Sequence, residues 1–161
     1  MKYNRFEELP VWKDAMVLAE SIYLLTQNDS LHKRRSLCDQ IERAGLSISN
    51  NIAEGFERGT TAELLAFLYI ARGSAGETRS MTYLLAKIAP DLKSQISDLR
   101  KRCESISRQL YGWMESLKDS EISGQRRLDA KERRNYQIEK NQKQAWQEFD
   151  RLTQQSKKPG P

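Results

Sequence analysis

The side chains best able to do chemistry sit where a helix tolerates them least. In the run Ser47-Ile48-Ser49-Asn50-Asn51-Ile52-Ala53-Glu54-Gly55, two serines and two asparagines interrupt an otherwise helical pattern. Such residues compete for backbone hydrogen bonds and are poor helix formers. Asn51 and Glu54 fall within one turn of Ile48 and Ile52, so one or both are expected to border a core. A second stretch, Arg72-Gly73-Ser74-Ala75-Gly76-Glu77, holds two glycines in a helix interior. Each costs roughly 1 kcal/mol there, so a packing reason is expected: small residues let two backbones approach closely. Asn50, Asn51, Glu54 and Glu77 then have two readings. They form a ligand site or subunit contact, or they form an internal polar network that specifies helix pairing and register. The expected arrangement is the network, with Asn51 bonding across the gap.

Enzymatic constellations are missing from the sequence. His32 is the sole histidine and falls in a turn, so a serine or cysteine nucleophile has only that imidazole to borrow. No Glu-x-x-His pair occurs, which leaves a di-metal bundle site without nitrogen ligands. Neither a phosphate-cradling GxxxxGK[ST] loop nor a GxGxxG turn is present. Cys38 and Cys103 stand apart, with no CxxC and no histidines nearby. They read as two buried thiols, or as a disulfide if their helices are neighbours. The expectation is a non-catalytic chain with no cofactor and no metal.

Charge points elsewhere. The chain carries 27 Lys+Arg against 22 Asp+Glu, a formal net charge of +5. That balance favours polyanionic partners, RNA or DNA. Three basic clusters are candidate phosphate contacts: Lys33, Arg34 and Arg35; Arg100, Lys101 and Arg102; and Arg126, Arg127, Arg133 and Arg134. Contacts of that kind position a nucleic acid without reading its sequence, and their strength falls steeply with salt. Each cluster also reads as an ordinary solvated face.

Four helical segments must position these groups, and no segment reads as a strand. The first spans Pro10 to Thr26, with Val11, Ala15, Leu18, Ile22 and Leu25 at alternating spacings of four and three. The second spans Ser36 to Arg58, with Leu37, Ile41, Ala44, Ile48 and Ile52 on its stripe. Gly59 stops it, Thr60 or Thr61 caps the third, and Glu63 lies three residues after Thr60, as a capping box requires. That helix turns Leu64, Phe67, Ala71, Ser74, Thr78, Met81, Leu85 and Ile88 inward. After Ala89-Pro90-Asp91 the fourth carries Leu92, Ile96, Leu99, Cys103, Ile106, Leu110, Trp113 and Leu117. Short turns imply antiparallel neighbours. The fold class is all-α: an antiparallel up-down-up-down four-helix bundle over residues 5–117, with a basic C-terminal extension over 118–161.

That extension holds 11 Lys+Arg and 7 Asp+Glu, so most of the net charge lies in it. Ile138, Ala145, Trp146, Phe149 and Leu152 are its sparse apolar anchors. They mark a helix that docks on a partner, or they sit in a solvated, partly helical or disordered tail. Met1-Lys2-Tyr3-Asn4-Arg5 lacks the apolar core of a signal peptide, and no apolar run is long enough to cross a bilayer. A cytoplasmic protein with no membrane contact is expected.

Several of these stretches resemble a known family. Phe6-Glu7-Glu8-Leu9-Pro10-Val11-Trp12, Gln40-Ile41-Glu42-Arg43-Ala44, the Ser47–Phe56 run and Phe67–Glu77 are similar to the four-helix-bundle proteins encoded by intervening sequences in bacterial 23S ribosomal RNA genes. The likeness covers about residues 5–117. Its superfamily includes the accessory variability determinants of diversity-generating retroelements, pentameric barrels that bind a reverse transcriptase and its template RNA. The resemblance implies a homo-oligomer, a pentamer, without catalysis and with a basic surface for nucleic acid. The basic extension departs from the family pattern and favours an accessory subunit of a reverse transcriptase–RNA complex. Two rivals stand beside that expectation: a bundle acting as a protein-interaction module without RNA, and a ligand-binding or enzymatic bundle built on Asn51, Glu54 and Glu77.

Overall fold

A computed structural model describes residues 3–118 together with Ile138, Asn141, Gln142, Gln144, Trp146 and Arg151. The chain divides into two units, Met1–Arg126 and Arg127–Pro161. Within the second, the six described positions have helical backbone, and the side chains of Ile138 and Trp146 are exposed. Ala145, Phe149 and Leu152, the other expected anchors, lie outside the described residues.

The first unit is built from four helices: α1 (Pro10–Thr26), α2 (Arg35–Glu57), α3 (Thr61–Ile88) and α4 (Lys93–Lys118). No strand occurs among the described residues. Pro10 opens α1 because its fixed φ suits a first turn whose N–H groups have no partner anyway. A short 3-10 turn, Asp29–Leu31, follows; the Asn28 side chain accepts the Ser30 N–H and starts it. Gly59 sits at φ 85°, a conformation open to glycine at no steric cost, and ends α2. The Thr60 hydroxyl oxygen accepts the Glu63 N–H at 3.2 Å and donates to the Glu63 carboxylate at 2.6 Å. This capping pair starts α3 one turn after α2 has stopped.

The core forms one cluster shared by all four helices. Ile22, Ile41, Ile48, Ile52, Leu64, Leu68, Leu85, Ile96, Ile106 and Leu110 are fully buried, each worth about 1.5–3 kcal/mol relative to exposure. α1 and α3 each pack against α2 and α4. Ser47 meets Ser74 and Gln40 meets Glu77, while Gly55 faces Phe67. Numbers rise along α2 as they fall along α3, so the two helices run in opposite directions. The pairs Arg100–Thr82 and Arg72–Ser107 give α3 and α4 the same relation.

Two details depart from the expected stripes. On α3 the buried positions are Thr61, Leu64, Leu68, Ala71, Ser74, Ala75, Thr78, Thr82 and Leu85, while Phe67, Met81 and Ile88 are half-buried. A helix flanked by two neighbours needs a broad apolar face, and its centre lies between the two seams. On α4 Met114 is buried and Trp113 is only half-buried against the core. A turn of 3.6 residues drifts about 20° per heptad against a strict repeat, about 60° over the three heptads from Leu92 to Trp113, which carries Trp113 toward the edge of the seam and brings Met114 into it.

Candidate nucleic-acid interface and the polar seam beside it

A polar seam does join α2 to α3, but through other atoms than expected. Asn51 Nδ2 donates back along its own helix, to Ser47 O at 2.7 Å and Ser47 Oγ at 3.0 Å. Ser74 Oγ donates to Ile70 O at 3.1 Å. Its one proton is therefore used, and across the 2.9 Å contact it accepts from Ser47 Oγ. The crossing bond belongs to Ser47, with Asn51 orienting it. About two turns back along α2, Gln40 Nε2 donates to Glu77 Oε1 at 2.6 Å, and Arg43 donates to Gln40 Oε1 at 2.7 Å. Asn50 is exposed, and Glu54 is an exposed partner of Arg58 on its own helix at 2.6 Å. The four residues singled out in the sequence thus divide: Asn51 and Glu77 belong to the seam, Asn50 and Glu54 do not.

The glycine expectation also moves. A Cβ on Gly73 or Gly76 would meet nothing within 4 Å. Close approach instead occurs on α2, where a Cβ on Gly45 would overlap Ile22 Cδ1. One on Gly55 would lie 2.6 Å from Phe67 Cβ.

Cys38 and Cys103 are both free and buried. Burial raises the pKa of each thiol, that of Cys103 from 9.0 to about 12. Neither is a nucleophile near neutral pH. His32 is exposed beside Lys33 and Arg34. No grouping of three or more His, Cys, Asp or Glu suited to a metal occurs among the described residues.

Lys33, Arg34 and Arg35 lie where the α1–α2 connection enters α2. All three side chains are exposed, and no ion pair among the described residues engages them. Asp29, Ser30, His32, Lys33 and Arg34 line an open recess of about 520 Å³ there. Free backbone N–H groups of the α2 N-terminus add partial positive charge at the same place.

Arg100, Lys101 and Arg102 do not form a cluster in space. Successive helical residues point about 100° apart, and these three go to three environments. The Arg100 guanidinium lies 3.8 Å from the Tyr83 ring centroid and donates to Thr82 Oγ1 at 3.1 Å and Thr82 O at 3.3 Å. Lys101 pairs with Asp98 at 3.1 Å. Arg102 lines a second recess, of about 330 Å³, between the end of α1 and the start of α4. Arg126, Arg127, Arg133 and Arg134 lie outside the described residues.

What adjacency in sequence did not show is a series of cation–tyrosine pairs across the α3/α4 seam. Besides Arg100 over Tyr83, Arg72 lies 5.0 Å from the Tyr111 centroid and Lys118 lies 5.7 Å from that of Tyr69. The donor helix alternates, α4, α3, α4, so the pairs interlock the two helices. Hydrogen bonds to Glu115 and Tyr69 hold the Lys118 pKa above its ordinary value. The signal lay in the spacing: Tyr69, Arg72, Gly76, Arg79 and Tyr83 share one stripe of α3.

No helix among the described residues is long and apolar enough to cross a membrane. The model of one family, 23S rRNA-intervening sequence protein, matches residues 7–112. No curated protein matches the chain. Among solved structures it is similar to a protein with unknown function from the S23 ribosomal protein family of Bacteroides thetaiotaomicron. Their identity is 24% and the TM-score 0.58, over 65% of this chain and 97% of that one. That likeness concerns the fold.

Proposed function

We propose that this chain, which belongs to the 23S rRNA-intervening sequence protein family, is a non-catalytic accessory subunit that binds RNA and assembles into a homo-oligomer. The observation that carries the reading is the set of unpaired cations Lys33, Arg34 and Arg35 at the α2 N-terminus, of which Lys33 and Arg34 line an open recess together with Asp29, Ser30 and His32. Cations without carboxylate partners retain their charge for phosphate oxygens, and the helix dipole adds to the field. Assembly is supported by apolar side chains left exposed on opposite helices. Leu24 on α1 is 65% exposed, Ile70 and Leu84 on α3 51% and 49%. Since α1 and α3 each pack on α2 and α4, the two patches face different ways. A contact between unlike patches is heterologous and closes into a ring when the rotation permits. The basic extension favours a retroelement reverse transcriptase as the partner, and a pentamer is what the family resemblance implies for the assembly.

A second reading, a protein-interaction module without RNA, is favoured by the fate of Arg100 and Lys101. Arg100 directs its donors to Thr82 across the α3/α4 seam, and Lys101 pairs with Asp98 on the exposed face of α4. Light scattering on the purified full chain, with absorbance at 260 and 280 nm recorded together, separates the readings. A multi-subunit particle whose 260 nm absorbance is lost after nuclease treatment supports the RNA-binding subunit. An assembly free of nucleic acid, and insensitive to salt, replaces it with the interaction module. A clean monomer removes both.

A further inference from the structure

We infer that the α3/α4 face bearing Tyr69, Tyr83 and Tyr111 is a stacking surface for a single-stranded stretch of nucleic acid. The inference rests on the RNA-binding reading above and adds to it a place and a mode of contact. The three rings are 49%, 53% and 50% exposed, an unusual amount of aromatic surface to leave in water on one face. Each carries a cation: Lys118, Arg100 and Arg72 respectively.

The nature of those pairings decides what the face attracts. Arg58, Lys101 and Lys118, the last being the cation over Tyr69, sit against carboxylates, which cancel their charge locally. Arg72 and Arg100 instead sit against neutral groups, the rings of Tyr111 and Tyr83 and the oxygens of Ser107 and Thr82. Their charge is undiminished, and their guanidinium planes are held by the rings. Planar rings and oriented guanidinium groups stack on unpaired bases, while the positive field holds the backbone phosphates. A duplex offers no exposed base faces to such a surface. An apolar protein partner would gain nothing from two uncompensated guanidinium groups.

The stripe on α3 runs Tyr69, Arg72, Gly76, Arg79, Tyr83, so aromatic residues mark its ends and cations lie between. Fourteen residues separate the two tyrosines, about 21 Å of helix, which is a span of a few nucleotides. Gly76 lies midway, and a Cβ there would meet nothing. The surface is left open at its centre, where a base has room against the backbone. Arg79 is exposed on the same stripe.

Fluorescence anisotropy of the full chain with a labelled oligouridylate, and with a labelled RNA duplex of equal length, tests this at one fixed salt concentration. The paired substitution Tyr69→Leu/Tyr111→Leu removes stacking without changing charge. It is expected to weaken oligouridylate binding roughly tenfold or more and to leave duplex binding unchanged. Tyr69→Phe/Tyr111→Phe is expected to bind like the parent, and melting temperatures confirm that both variants are folded. Equal oligouridylate affinity in the leucine variant overturns the stacking surface while leaving the RNA-binding reading intact, as does an equal loss on the duplex. A change in oligomeric mass in the leucine variant reassigns the face to a protein contact and also overturns it. No binding of either probe by the parent overturns both. The triple substitution Lys33→Ala/Arg34→Ala/Arg35→Ala marks the difference, because it is expected to weaken both probes alike.

Discussion

The guanidinium of Arg100 lies 3.8 Å from the centroid of the Tyr83 ring while two of its nitrogens bond to Thr82, the next residue back on the facing helix. A single side chain thereby ties α4 to α3 at three points. Thr82 Oγ1 in turn donates to Arg79 O at 2.6 Å, so the hydroxyl that receives Arg100 is itself held.

That arrangement makes Arg100 a structural arginine. Arg100→Ala is expected to lower unfolding free energy by about 1–3 kcal/mol, from two lost hydrogen bonds and a cation–ring contact. Arg100→Lys recovers only part of this, since an ammonium cannot bond Thr82 twice and lie flat on Tyr83. Urea denaturation of both variants and of Tyr83→Leu, combined in a double-mutant cycle, gives the coupling. About 0.5–1 kcal/mol is expected for the Arg100–Tyr83 pair, and a coupling of zero removes the interlock.

Glycine positions predict opposite signs. Gly55→Ala forces a Cβ to within 2.6 Å of Phe67 Cβ and 3.2 Å of Leu64 Cδ1, an overpacking expected to cost about 1–3 kcal/mol. Gly73→Ala meets nothing and removes backbone entropy from the unfolded chain, so a gain of up to about 1 kcal/mol is expected. Thermal melts of the two single variants check the contrast; destabilisation by Gly73→Ala would place an unseen contact on the outer face of α3.

How much of this was legible beforehand follows from range along the chain. α1 begins and ends where Pro10 and Gln27-Asn28 indicate, and the Gly59-Thr60-Glu63 punctuation is realised, because caps and turns are decided within a few residues. Whether Phe67 or Leu68 faces inward was not legible, since it depends on how α3 is rotated between α2 and α4. The same rotation decides that Ser47, and not Asn51, reaches Ser74. It also scatters Arg100, Lys101 and Arg102 while gathering Arg72 with Tyr111. Contiguous basic letters mislead on a helix; letters three and four apart carry the information.

Ser47 is predicted to matter more than either asparagine beside it. Ser47→Ala removes the bond to Ser74 and one acceptor of Asn51, and leaves Ser74 Oγ short of a donor in a buried position. A loss of about 1–2 kcal/mol is expected. Asn50→Ala, at an exposed site on the same helix, is expected to be neutral or mildly stabilising because alanine is the better helix former. Chemical denaturation ranks the two, and the reverse order would show that the seam does not run through Ser47.

The buried thiol of Cys103 makes stability fall at alkaline pH. Its pKa is about 12 in the folded chain, raised chiefly by burial, against 9.0 in the open chain. Between those values the unfolded chain has lost the thiol proton and the folded chain has kept it. The folded state therefore binds more protons, and unfolding free energy declines as pH rises through that window. Below pH 9 the contribution is fully present. Lysine and tyrosine side chains titrate in the same range, so the comparison is with Cys103→Ala, which lacks the thiol but not the others. The stability difference between parent and variant is expected to shrink steadily from pH 9 upward. Alkylation gives an independent measure: at pH 8 Cys103 is expected to react only after denaturant is added. Ready labelling of the native chain would mean that the α4 seam opens locally around Ile106 and Leu99.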